Sequence, residues 1–301
     1  MSSEPAEGAG LDCDPYADDC GVPTDLSITL RFDRFLLPSS AVRQSMAVYA
    51  GLPTNPALPG SNQRAELSPR YDVSERAVRY VFPAGFRLQP KTVYTVELPV
   101  YTDDLPYGFR AFDGAPLAGT SPLRFAFFTG KGTAGPPPSP PAPPPCEDVL
   151  AVLAGCTGCH GALDTDTAPR MGLSLAGWDA IEATAVAKPA HQTEIGETTG
   201  VTNEAPVRFG VNMPIIDPDR PDNSYLMYKL LLRPEAYLPG GDGDCSEAGS
   251  CLPPDPAELE RLREWFVRGD PMPQAGAGES FVDHAALSTI QAFIAGGAAC
   301  P

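Results

Sequence analysis

Only three histidines and eight cysteines occur in 301 residues, and one histidine directly follows a Cys-x-x-Cys pair in "GCTGCHG", residues 155–161. Two thiols three residues apart on a helical turn can each add to one vinyl group of a porphyrin. The residue after them then brings an imidazole to the iron. Thr157 and Gly158, between the thiols, are small enough not to obstruct a macrocycle. Cys156 and Cys159 are therefore candidate thioether anchors for one covalent haem c, and His160 is the candidate proximal iron ligand. Two other chemistries use similar spacings. A thioredoxin-like redox pair needs a βαβ context, which the surrounding sequence lacks. A zinc site needs a second pair of ligands at matching spacing, and no second Cys-x-x-Cys exists. His191 and His284, the remaining imidazoles, are alternatives for a bis-His site, and each reads more simply as a solvated residue.

The elements that would position this motif read as helical. In "CEDVLAVLAGC" Val149, Leu150 and Leu153 fall at helical spacing, with Glu147 and Asp148 in the first turn where they suit the helix dipole. Further on, Leu259, Leu262, Trp265 and Phe266 share one face of a second amphipathic helix, with Gly269 as its C-cap. A proline tract, "GPPPSPPAPPP" at 135–145, can form no core and reads as a semi-rigid spacer within a linker at 131–145. It separates a helical region at 146–301 from one of different texture.

From 24 to 130 the pattern has period two. Leu26, Ile28, Leu30 and Phe32 alternate with polar residues, and "VRYVF", "YTVEL" and "LRFAFFT" read as further strands between Pro- and Gly-bearing turns. The pattern predicts a small antiparallel β-sandwich. It contains no His and no Cys, and Asp103, Asp104 and Asp113 read as solvated turn carboxylates rather than a calcium site. Residues 1–23 form an acidic N-terminal segment, extended except where Cys13 and Cys20 close a small loop.

A net charge of −17 argues against a nucleic-acid partner. No apolar run approaches the length of a membrane span. "MSSEPAEGAG" lacks the basic start and apolar core of a signal peptide, so a leader is expected to be absent from this sequence. If haem takes Cys156 and Cys159, six cysteines remain, and six can pair in fifteen ways. Cys13–Cys20 encloses six residues and Cys245–Cys251 encloses five, so each reads as a local loop. Such cysteine usage points to an oxidising compartment.

Two resemblances add to this reading. "LRFDRFLLPSSAVRQSMAVY", "LQPKTVYTVEL" and the closing "FAFFTG" resemble the Ig-like domains of bacterial surface proteins, which gives Tyr94 a tyrosine-corner role. Residues 146–301 resemble a class I cytochrome c domain of the long bacterial extracytoplasmic type. The likeness rests on the pre-haem helix, "CTGCHG", "GLSLAGWDAI", "DPDRPDNSYLMYKLL", "GDPMP" and "LSTIQAFIAGGAAC". Together they imply an all-β Ig-like sandwich followed by an all-α cytochrome c domain with long loops. The second resemblance implies a distal methionine before the last helix, Met272, with Met213 of "VNMP" as the alternative. It also implies a Cys146–Cys300 bridge, since the first and last helices of such domains cross. His/Met ligation fills both axial positions, so the implied role is electron transfer with extracytoplasmic redox partner proteins rather than catalysis. The expected location is the periplasm or the cell surface, with a lipid anchor or a surface assembly left open. The alternative is a haem enzyme, the electron-entry subunit of a larger oxidoreductase, or a subunit of a cell-surface cytochrome assembly.

Overall fold

The computed structural model describes the chain except residues 15, 18–19, 53–54, 57–66, 84, 120–121, 134–141, 163–171, 194–208, 239–250, 266, 268–269, 273–281 and 301. Most of the proline tract, Cys245, Phe266 and Gly269 thus lie outside the described residues. The chain divides into two compact units, one of Met1–Asp72 with Arg76–Ser139 and one of Val73–Glu75 with Pro140–Pro301.

The first unit holds β1 (Ser2–Glu4), β2 (Ile28–Arg31), β3 (Ala47–Leu52), β4 (Asn55–Pro56), β5 (Ser68–Asp72), β6 (Ala77–Val81), β7 (Val93–Leu98) and β8 (Leu123–Phe128). They form two four-stranded sheets, β1-β2-β6-β5 and β4-β3-β7-β8, with antiparallel pairing throughout. Side chains on a strand alternate between faces, and the apolar set of each sheet falls on one face. Ile28, Leu30, Val78 and Tyr80 of one sheet meet Val96, Leu98, Phe125 and Phe127 of the other in a single buried core. The Tyr94 hydroxyl accepts the Gln89 N–H at 2.8 Å, tying β7 to backbone just upstream of it. The acidic N-terminus is woven into this unit. Ser2 lies opposite Arg31 and Glu4 opposite Thr29 in the first sheet, and Cys13 is bonded to Cys20.

The second unit holds α1 (Cys146–Leu153), α2 (Trp178–Thr184), α3 (Tyr225–Leu231), α4 (Pro256–Trp265) and α5 (His284–Ala295). The apolar stripes of α1 and α5, Val149 and Leu153 against Leu287, Ile290, Phe293 and Ile294, are buried where the two helices pack. Asp283 caps α5, its carboxylate accepting the Ala286 N–H at 2.9 Å. A disulfide joins Cys146, the first residue of α1, to Cys300 beyond α5.

The expectation of an all-β Ig-like sandwich followed by an all-α cytochrome c domain is overturned by this architecture. The protein is of mixed class. Its strands form two small sheets whose outermost members include the three-residue β1 and the two-residue β4, which is no clear Ig sandwich. The described helices of the second unit run only 7 to 12 residues. Between them, proline-bearing chain closes as isolated bridges, Val186 to Ile216 and Pro189 to Pro214. Proline removes a backbone donor and clashes with the preceding helical turn, so segments this rich in it cannot extend helices.

All seven residues of α3 are buried, Lys229 among them at 7% exposure. Burial pushes the Lys229 ammonium down to about 8, the Asp270 carboxylate opposing the shift and Arg263 adding to it. In an unfolded chain the group titrates near ~10.4. Between these values the unfolded chain holds a proton that the fold does not. The stabilisation from Lys229 is therefore complete above ~10.4 and lost as pH falls through its folded value. Relative to a Lys229→Met variant, the wild-type chain should gain stability from pH 7 to 10, on the order of 3 kcal/mol at most. Urea unfolding at a series of pH values measures this, and a difference independent of pH would refute it.

Candidate haem-attachment site

The C-x-x-C-H residues sit on a tight turn at the end of α1. A short 3₁₀ turn, Ala154–Cys156, follows the helix, and the Cys156 carbonyl then accepts both the Cys159 N–H at 3.2 Å and the His160 N–H at 3.0 Å. Two successive amides on one carbonyl close the backbone from Cys156 to His160 into a single turn. The Thr157 hydroxyl donates to the Ala154 carbonyl at 2.8 Å, so it braces the turn from within. Around Gly158 the turn is open, since a Cβ there would meet nothing within 4 Å.

Cys156 and Cys159 are half-buried and free. Cys13, Cys20, Cys146 and Cys300 are paired, Cys251 is disulfide-bonded, and its expected partner Cys245 lies outside the described residues. Burial, and after it the neighbouring Cys159, push the Cys156 thiol up, which keeps it protonated.

Among the described residues, one hydrogen-bond contact orients the imidazole of His160. Its Nδ1 lies 3.1 Å from the Leu173 carbonyl oxygen. A carbonyl can only accept, so Nδ1 carries the hydrogen, and in the neutral ring this tautomer leaves the lone pair on Nε2. Metal-ligating histidines are generally fixed in this way. The backbone joins in, with the Leu175 N–H donating to the His160 carbonyl at 2.8 Å. Two free thiols and an imidazole with Nε2 available fit a covalent haem. Among the described residues no three His, Cys, Asp or Glu side chains gather as a protein-only metal cage requires.

The two candidate distal methionines lie on other segments. Met213 is 2% exposed, its carbonyl accepting the Ala190 N–H at 2.8 Å and its own N–H donating to Gly210 at 3.2 Å. Met272 is half-buried, directly before undescribed residues 273–281. His191 lies in a 3₁₀ turn, His191–Thr193, and His284 opens α5.

Sequence reasoning missed the groups that hold the imidazole. Leu173 acts through its backbone, which leaves no signature in residue type. Ser174, next to it, is wholly buried, and Thr184 at the end of α2 bonds to it. The only signal for Thr184 was a β-branched hydroxyl at a helix end, where bonding to backbone is common.

No protein-family model matches the chain, and no curated protein matches it. Among solved structures it is similar to the S-layer protein rSbsC(31-844), at 12% identity over 38% of this chain and 13% of that one, with a TM-score of 0.26. It is also similar to the N-terminal part of the bacterial S-layer protein SbsC, at 17% identity over 36% of this chain and 21% of that one, with a TM-score of 0.23. The chain spans only those small fractions of the two proteins, and likeness at this level carries no argument. No helix among the described residues is long and apolar enough to cross a membrane.

The Ser174 hydroxyl is buried and has no partner among the described residues. An unsatisfied buried hydroxyl destabilises by ~1–3 kcal/mol. Ser174→Ala should therefore stabilise the haem-free chain by about 1 kcal/mol, read from the midpoint of urea unfolding. Destabilisation by this variant would show that the hydroxyl is bonded.

Proposed function

We propose that the chain is an extracytoplasmic electron-transfer protein with one haem c bound through Cys156 and Cys159 and ligated by His160. One observation carries this reading: among the described residues the two free cysteines are those of the C-x-x-C-H turn, where the Leu173 carbonyl holds the adjacent imidazole through Nδ1. When bound, the haem supplies a one-electron iron couple. The chain's own residues would hold it, Cys156 and Cys159 as anchors, His160 as an iron ligand, and Met272 as a thioether ligand with Met213 as the alternative.

The disulfides Cys13–Cys20 and Cys146–Cys300 favour the periplasm or cell surface, where such bonds persist. The net charge of −17 is distributed unevenly. Residues 140–301 hold 23 of the 38 carboxylates but only 9 of the 21 Lys and Arg. A redox partner with a cationic docking face suits this unit, with association that weakens as salt rises.

Expression with a c-type haem maturation system tests the assignment. The purified chain should keep its visible absorbance after acid–acetone extraction, and its mass should exceed the polypeptide by one haem. A Cys156→Ala, Cys159→Ala variant that still holds haem covalently would sink the proposal.

The distal ligand is separable by two substitutions. Met272→Ala should abolish the weak red-end band of sulfur-ligated ferric haem, lower the reduction potential and admit carbon monoxide. Met213→Ala should keep band and potential but destabilise the fold by about 2–5 kcal/mol, the usual effect of truncating a fully buried methionine. The opposite pattern would exchange the two assignments.

A further inference from the structure

We infer that Thr184 is a positioning residue whose hydroxyl clamps Ser174 and thereby holds the Leu173 carbonyl against His160, an inference that rests on the proposed haem site. The chain from 173 to 175 bonds to alternate sides. Leu173 and Leu175 face His160: the Leu173 carbonyl takes the Nδ1 hydrogen at 3.1 Å, and the Leu175 N–H donates to the His160 carbonyl at 2.8 Å. Ser174, between them, turns both of its backbone polar groups to Thr184. The Thr184 Oγ1 accepts the Ser174 N–H at 3.1 Å and lies 3.1 Å from the Ser174 carbonyl. It also lies 2.7 Å from the Ala180 carbonyl, so its single proton is shared between two acceptors.

Ser174 is wholly buried, with an exposure of 0%. Without the Thr184 hydroxyl, its N–H and carbonyl would be stranded away from water, which is strongly unfavourable. The segment would then have to move, carrying the Leu173 carbonyl off Nδ1. Thr184 itself is anchored, because Trp178 of α2 packs edge-on against Phe293 of α5 at 5.5 Å and Ile181 of the same helix is buried. A hydrogen bond at Nδ1 makes an imidazole a stronger donor at Nε2, which favours ferric iron. Weakening that bond should raise the potential.

Thr184→Val removes the hydroxyl at nearly constant shape, Thr184→Ala repeats the loss in a smaller residue, and Thr184→Ser restores the hydroxyl. Two readouts are taken on the full chain. The first is amide hydrogen exchange at Leu175, whose N–H donates to the His160 carbonyl rather than to Thr184, with Leu287 of α5 as the reference for global opening. The second is the reduction potential of the haem-loaded protein. In the Val and Ala variants Leu175 should exchange at least tenfold faster while Leu287 is unchanged, and the potential should rise; Thr184→Ser should match wild type in both. Exchange that accelerates equally at Leu175 and Leu287, or an unchanged potential in the Val and Ala variants, would overturn the inference and leave Thr184 a structural residue. Should the wild-type chain hold no covalent haem, the proposed function fails, and the exchange contrast still decides whether Thr184 clamps the segment.

Discussion

An imidazole that is to offer one nitrogen to a ligand must have the other nitrogen fixed. In this protein that constraint falls on the contact between His160 Nδ1 and the Leu173 carbonyl. The turn at the end of α1 carries the two thiols and the imidazole on one short stretch of backbone, but a turn alone leaves the ring free to rotate about its side-chain bonds. A backbone acceptor from a second segment removes that freedom. It selects one tautomer, so which nitrogen is left available is set by a backbone contact.

The contact is in turn maintained by apolar packing at some distance. Trp178 and Ile181 fix α2 against the core that α1, α3 and α5 build, and the last residue of α2 reaches back to Ser174. Hydrophobic burial is non-directional, so it cannot by itself orient a ring. Here it fixes a helix, the helix fixes a hydroxyl, and the hydroxyl fixes a strand-like piece of backbone.

Much of the local structure was legible in the sequence. Ile28 and Leu30, and Phe125 and Phe127, announce half-buried strands by their alternation, and they are buried in the first unit's core. The spacing of Val149 and Leu153 foretells α1, and "LSTIQAFIAGG" overlaps α5. The architecture was not legible in the same way. Nothing in "SSE" at 2–4 marks an edge strand, because its pairing with Ile28–Arg31 is made by backbone alone. β5, with the sequence Ser-Pro-Arg-Tyr-Asp, has no apolar alternation to reveal it. The second unit misled for a different reason: a motif and a few helical stretches suggested a wholly helical domain, while the prolines at 189 and 214 close bridges instead. The site divides along the same line. Cys156, Cys159 and His160 declare themselves by residue type, whereas a main-chain carbonyl at position 173 could be located only in three dimensions.

The bond between Cys146 and Cys300 has a mechanical side. It joins the residue that opens α1 to one that follows α5, a sequence separation of 154. Tension applied to the chain on either side of these two residues would run through the sulfur bridge rather than through the helices enclosed by it. The turn bearing Cys156 and His160 lies inside that covalent loop, shielded from pulling by a bond and not by the strength of its packing.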